Sequence, residues 1–179
     1  MATAPPTPQD AAHAPGPEGP AGLFAGYDDE HHPLGSYAVF AAVFGTAFGG
    51  GLAALQRSGR PVPERVAVGD IVLLGVATHK LTRLIAKDRV TAFLRAPFSR
   101  FQEGVGHGEV EEAAKGTGVR KAVGELIICP YCLGQWVAGG FALGLVGAPR
   151  VTRLIAAMYA AETISDTLHL AYHAAAKRS

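Results

Sequence analysis

Long apolar runs alternate with short charged segments along this chain. Tyr37 to Leu55 (YAVFAAVFGTAFGGGLAAL) carries no charge at all. Val66 to Ile85 is apolar apart from Asp70 near one end and His79, Lys80 and Arg83 near the other. Glu125 to Val146 (ELIICPYCLGQWVAGGFALGLV) has no Lys, Arg or Asp, and its one acid stands first. Val151 to Ala176 is a fourth long run. At helical rise the third run reaches about 33 Å, against a bilayer core of roughly 30 Å. Lys80 and Arg83 sit where long basic side chains can reach the membrane interface. The pattern predicts an all-α polytopic membrane protein with about four transmembrane helices in a small bundle. The spans are about 37–55, 66–85, 125–146 and 151–176, within a helical membrane domain over 37–176.

What lies between the runs is polar. Residues 86–124 read as one polar loop, in which Phe93, Leu94, Phe98 and Phe101 interleave with Arg95 and Arg100. Such a mixture beside a membrane helix suits a segment lying in the interface. Gly104 to Gly118 reads as a loop rich in Gly and Glu, with Glu109, Glu111 and Glu112 close to His107. A solvated acidic loop is the simpler account of that cluster, and a divalent-cation site the sharper one. Residues 1–36 hold no Lys or Arg and many prolines and alanines, so they lack the basic start of a signal peptide. They are expected to form a disordered tail, because they offer too little apolar surface to bury.

Composition sharpens this picture in three ways. Charged residues make up 17% of the 179 residues, below the usual ~25%. A net charge of +1 gives no basic field for nucleic acid, so the partners expected are the lipid bilayer and a second copy of the chain. Basic residues favour one side of the expected topology. Lys87, Arg89, Arg95, Arg100, Lys115, Arg120 and Lys121 share a side with Lys177 and Arg178, while Arg57, Arg60, Arg65, Arg150 and Arg153 lie on the other. The positive-inside rule then places both termini and loop 86–124 in the cytoplasm, around a bacterial cytoplasmic membrane.

Parity brings the end of the second span, the start of the third and the end of the fourth to one membrane face. On the fourth run Glu162, Ser165, Asp166, His169 and His173 share a helical face, opposite Ile155, Met158, Ile164 and Leu168. Ionisable groups in a membrane are usually paired. Lys80 and Arg83 are therefore expected to form intramembrane ion pairs with Glu162 and Asp166. Gly45 with Gly49, and Gly140 with Gly144, have the small-residue spacing that lets helices pack closely, within one chain or between two.

The only two cysteines stand as Cys129-Pro130-Tyr131-Cys132. Three readings stay open. The tetrapeptide resembles the active site of glutaredoxins, whose thiol is activated at a helix start, but no βαβ pattern precedes it. It also supplies half of a tetrahedral zinc or other transition-metal site, to be completed by His169, His79, His107 or a second copy, with Asp166 as a helper. The simplest reading is structural, and no catalytic residue or cofactor is assigned. Cytoplasmic thiols would stay reduced, which argues against a permanent disulfide.

The strings THKLTRL, LRAPF and CPYCLGQW, set within about Asp70 to Ala171, resemble the bacterial membrane-protein family known as domain of unknown function 1360 (DUF1360). The resemblance implies a small integral membrane protein and no particular activity. The leading expectation is a non-enzymatic protein of structural or interaction type. The alternative is a membrane thiol-redox or metal-binding protein that uses the cysteine pair.

Overall fold

The computed structural model describes residues 34–177. Most of the tail expected to be disordered falls on residues 1–33, outside the described residues. The described chain is helical with one small sheet. It runs α1 (Leu34–Arg57), α2 (Val68–Ala86), a 3-10 turn (Arg89–Thr91), α3 (Ala92–Arg95), β1 (Ser99–Gly106), β2 (Glu109–Ala114), α4 (Gly118–Ile128), α5 (Pro130–Gly147) and α6 (Pro149–Ala176).

The expectation of four membrane-crossing helices does not hold. Among the described residues only α1 is a single helix long and apolar enough to cross a membrane. A second crossing exists only if the bent pair α4 and α5 counts as one. A signal sequence near the N-terminus would meet the same length and composition test as α1. The helices over the runs at 66–85 and 151–176 do not meet it, being less apolar and interrupted by charged side chains. Asp70, Lys80 and Arg83 on α2, and Arg153 and Asp166 on α6, are joined in ion pairs within the protein. With the four-span topology goes the parity argument that assigned helix ends to membrane faces.

The third run is no single rod either. α4 and α5 meet at an angle of 80°. Proline disfavours helical geometry in the residue before it and has no N–H to continue a helix. Cys129 accordingly sits in extended backbone at φ −101°, ψ 104°, and Pro130 opens α5 in the first turn, where its missing N–H costs nothing.

Residues 86–124 hold a β-hairpin instead of an unstructured polar loop. β1 and β2 pair antiparallel, with Ser99 opposite Ala114 and Gly106 opposite Glu109. The reversal is made by Gly106, His107 and Gly108, all at positive φ (93°, 51° and 82°). Two glycines supply that geometry without strain, which is why a Gly-rich stretch closes a hairpin here. On β2, Val110 and Glu112 point inward and are buried.

The four long helices alternate in direction. Contacts of Phe44 with Gly139, Gly51 with Leu143 and Leu55 with Gly147 run in step, so α1 lies parallel to α5. The pairs Asp70–Arg153 and Lys80–Asp166 do the same for α2 and α6. The centre of the bundle is Ala77, Phe141 and Ala156, with Leu73, Leu74, Leu81, Val137 and Tyr159 packed around them. Small residues let α2 approach both neighbours. A second buried patch lies under the hairpin, where a Cβ on Gly124 of α4 would come within 2.5 Å of the Phe98 carbonyl oxygen.

Candidate functional site: the cysteine elbow and its groove

The corner between α4 and α5 carries both cysteines. Because Cys129 caps α5, Cys132 falls in the first helical turn on the same side, with the Cα atoms 5.3 Å apart. The sulfurs are joined as a disulfide. This differs from the expectation of reduced thiols, which rested on the four-span topology. The Cys132 backbone N–H donates to Cys129 Sγ at 3.2 Å. That bond and the positive end of the α5 dipole are both arrangements that favour a thiolate when such a pair is opened. Cys132 is exposed, and the Tyr131 side chain beside it is 93% exposed, so nothing in the described chain covers the elbow.

Beside the elbow a groove of about 260 Å³ opens between α1, α4 and α5. α1 contributes Tyr37, Phe40, Ala41 and Phe44, positions that share one helical face. Leu126 of α4 and Cys132, Gln135 and Trp136 of α5 close the other walls. Phe44 meets Trp136 edge-on, with ring centroids 5.4 Å apart, and stacks on Phe48 at 5.8 Å. The Tyr37 hydroxyl donates to Glu125 Oε2 at 2.5 Å, and Lys121 approaches the same carboxylate at 3.7 Å. The groove is thus aromatic along its length and polar at the end that holds Glu125 and Gln135.

A charged cluster shares this end of the bundle. Lys80 Nζ donates to Asp166 Oδ2 at 2.8 Å. Arg83, expected to meet Asp166 or Glu162, turns instead to the hairpin and donates through Nε and Nη2 to Glu109. Lys87 binds Glu111 at 2.8 Å, and Arg95 is paired with Glu112. All three acids proposed as a cation site on β2 therefore carry a basic partner from α2 or α3, which removes the charge a cation would need. Burial would lower the Lys80 pKa, but the bond to Asp166 and the charges of Asp166, Asp88 and Glu162 leave it raised. Burial pushes the Asp88 carboxyl above its usual 3.8, with Glu109 and Asp166 adding to the rise and Lys80 and Arg83 opposing it. At the far end of α2, the hydrogen bonds from Arg153 hold Asp70 below that value, against the pull of burial.

Other expected site residues are dispersed. His169 is exposed on α6, and among the described residues no group of three or more His, Cys, Asp or Glu side chains is placed to hold a metal ion. His107, at the hairpin tip, lies 6.2 Å from the ring of His173. Gly45, Gly49 and Gly140 face open space, whereas Gly144 packs on Thr152 of α6 within the same chain. Ile155, Met158, Ile164 and Leu168 are exposed. The Arg95–Glu112, Asp70–Arg153 and Tyr37–Glu125 contacts escape a sequence reading, because each joins residues whose nearness only the fold creates.

Residues 73–172 match the family model described as "Protein of unknown function (DUF1360)". Over 72 residues the chain is 43% identical to Sporulation protein YjcA of Bacillus subtilis (strain 168), which covers 38% of this chain and 61% of that protein. It is 30% identical over 108 residues to UPF0713 protein YngL of the same organism, covering 58% of this chain and 81% of that protein. The chain thus spans about three fifths of the first of these relatives and about four fifths of the second. No solved structure matches it. The aligned block takes in the elbow, the hairpin and most of α2 and α6.

Proposed function

Since the chain belongs to the DUF1360 family, and its matched block includes the cysteine elbow, we propose that it is a membrane-attached protein working through a thiol–disulfide pair, Cys129 and Cys132. The observation that carries this reading is the closed pair at the start of α5, with Cys132 exposed, Cys129 half-buried and a backbone N–H aimed at Cys129 Sγ. Two cysteines in that geometry exchange between dithiol and disulfide without rearranging the helix. Attachment rests on α1, whose length and lack of charge over Tyr37 to Leu55 suit a single crossing. From the Bacillus relative we take only the process its name states. A spore-forming host lacking the gene is expected to yield fewer spores.

The test is a redox titration of the full-length protein, purified in detergent, against dithiothreitol buffers. The pair should open and close reversibly, read as a mass shift on maleimide labelling. Stoichiometric zinc that survives purification and disappears in the C129S/C132S variant would replace this reading with a metal site, completed by ligands from a second copy. In parallel, the protein should remain with the membrane fraction after carbonate washing and lose that behaviour when 34–57 is removed.

A second reading is an interaction protein without chemistry of its own. It is favoured by the apolar side chains left exposed along α6 (Val151, Leu154, Met158, Leu168 and Tyr172) and at the start of α2 (Val68, Ile71 and Val72). Exposed apolar surface on this scale marks a binding surface. A cysteine pair that never opens, combined with specific self-association, would select it.

A further inference from the structure

Resting on the thiol–disulfide reading, we propose that the space between α1, α4 and α5 binds a lipid-soluble quinone, which accepts the electrons of the Cys129–Cys132 dithiol. Four observations converge on this class. Cys132 itself lines the groove, so a molecule seated there touches a redox-active sulfur. The walls are aromatic, with Phe40, Phe44 and Trp136 presenting faces and edges to a flat ring. The volume, about 260 Å³, lies just under the ~300–1,000 Å³ of sites for drug-sized ligands, so it suits a single ring system. The fourth is access. Tyr37, Phe40, Ala41 and Phe44 belong to α1, among the described residues the one single helix long and apolar enough to cross a membrane, so the ligand arrives along α1 from the lipid phase. The polar end carries the Gln135 amide, whose N–H groups can donate to a ring oxygen.

The step balances within these parts. The Cys132 thiol adds to the quinone ring, forming an S–C bond, and its proton passes to a ring oxygen. The Cys129 thiolate, held by the Cys132 N–H, then attacks Cys132 Sγ. The S–S bond forms, the S–C bond breaks, and the electron pair leaves with the ring. That ring takes up the proton that Cys129 gave to solvent or to Glu125 and departs as the quinol. The protein has lost two electrons and two protons, and the quinone has gained them.

The experiment uses full-length protein in detergent, reduced with dithiothreitol and desalted without oxygen. Decylubiquinone is the probe, because its fully substituted ring suppresses stable thiol addition. Quinone absorbance and maleimide labelling are followed together. The expected result is one quinol per chain, with none formed by the C129S/C132S variant. Emptying the groove by Trp136→Ala, or filling it by Ala41→Trp, should slow the oxidation on the order of tenfold or more, the scale of a lost apolar ring contact. Both variants should keep the wild-type midpoint in dithiothreitol buffers, which shows that the elbow is still folded. The proposal is overturned if wild type and groove variants react equally fast, or if a free CPYC peptide reacts as fast as the protein. Should the pair titrate reversibly with dithiothreitol yet ignore the quinone, only the quinone site falls. Should it fail to titrate at all, the thiol–disulfide reading falls with it.

Discussion

The guanidinium of Arg95 and the carboxylate of Glu112 meet with both side chains shut off from solvent, at 0% and 5% exposure. Arg95 also donates from Nη1 to the Ile85 carbonyl at 2.6 Å and the Thr91 hydroxyl at 2.8 Å, and from Nη2 to the Asp88 carbonyl at 3.0 Å. One side chain thereby ties the end of α2, the 3-10 turn, α3 and β2 together. Removing one partner of such a pair strands a buried charge. Glu112→Ala is expected to lower unfolding free energy by about 3–5 kcal/mol. The double variant Arg95→Met with Glu112→Leu should recover a good part of that loss, as read by chemical denaturation. Equal losses in single and double variants would argue against charge stranding as the cause.

Lys80 and Asp166 form a pair of a different kind, since the lysine is 15% exposed and the aspartate 54%. Solvent at the aspartate screens the attraction. A double-mutant cycle on these two residues should give a coupling of about 1 kcal/mol or less. The coupling should shrink further in high salt. A coupling as large as that of Arg95 and Glu112 would mean that something outside the described chain covers Asp166.

Two aspartates should respond to acid with opposite sign. Asp70 has its folded pKa lowered by Arg153, so its contribution to stability is present above the usual 3.8 and is lost as pH falls through the folded value. Asp70→Asn should therefore destabilise the protein at neutral pH and make little difference in strong acid. Asp88 has its folded pKa raised by burial, so what it contributes is present below 3.8 and lost as pH rises through the folded value. Asp88→Asn should raise the melting temperature at neutral pH, and the gain should fade on acidification. Thermal melts of both variants across the acid range check the two signs together.

Glycines divide by what surrounds them. Gly124→Ala forces a methyl against the Phe98 carbonyl oxygen and the Ala114 side chain and should cost about 1–3 kcal/mol. Gly45→Ala and Gly49→Ala meet nothing within 4 Å and should be neutral or stabilise α1 by up to about 1 kcal/mol. If two chains pack through that open face, leucine at Gly45 and Gly49 should abolish cross-linking in detergent while leaving the melting temperature alone.

Legibility in the sequence followed the range of the physics involved. Helices showed plainly at Tyr37 to Leu55 and at Val151 to Ala176, because a long run without prolines needs only local rules. The break at Cys129 is legible too, since Pro130 constrains its predecessor, but the apolar run continues unbroken across it and hides the change of direction. β1 and β2 were missed because Glu109, Glu111 and Glu112 look like solvated charges until Arg83, Lys87 and Arg95 are placed opposite them. The same charges account for the overcount of membrane spans. Asp70, Lys80 and Arg83 could be excused one by one as lying near helix ends, whereas the fold neutralises each with a protein partner. At the candidate site, the cysteine spacing pointed to the pair. Nothing in it pointed to Tyr37, Phe44 and Trp136, which reach the elbow only because α1 lies alongside α5.

The bend at Cys129 also settles how far this part of the chain can stretch. Divided there, α4 has 11 residues and α5 has 18, so the arms measure about 16 Å and 27 Å and leave the corner in different directions. The shorter arm falls well below the ~30 Å of a bilayer's oily interior, and the longer one reaches it only near the lower limit. Hydropathy tallies sequence letters without regard to heading, and a right-angled bracket scores as well as a rod. A corner of this kind also sets two opposed dipole ends face to face at one residue, and it is there that the sulfurs stand.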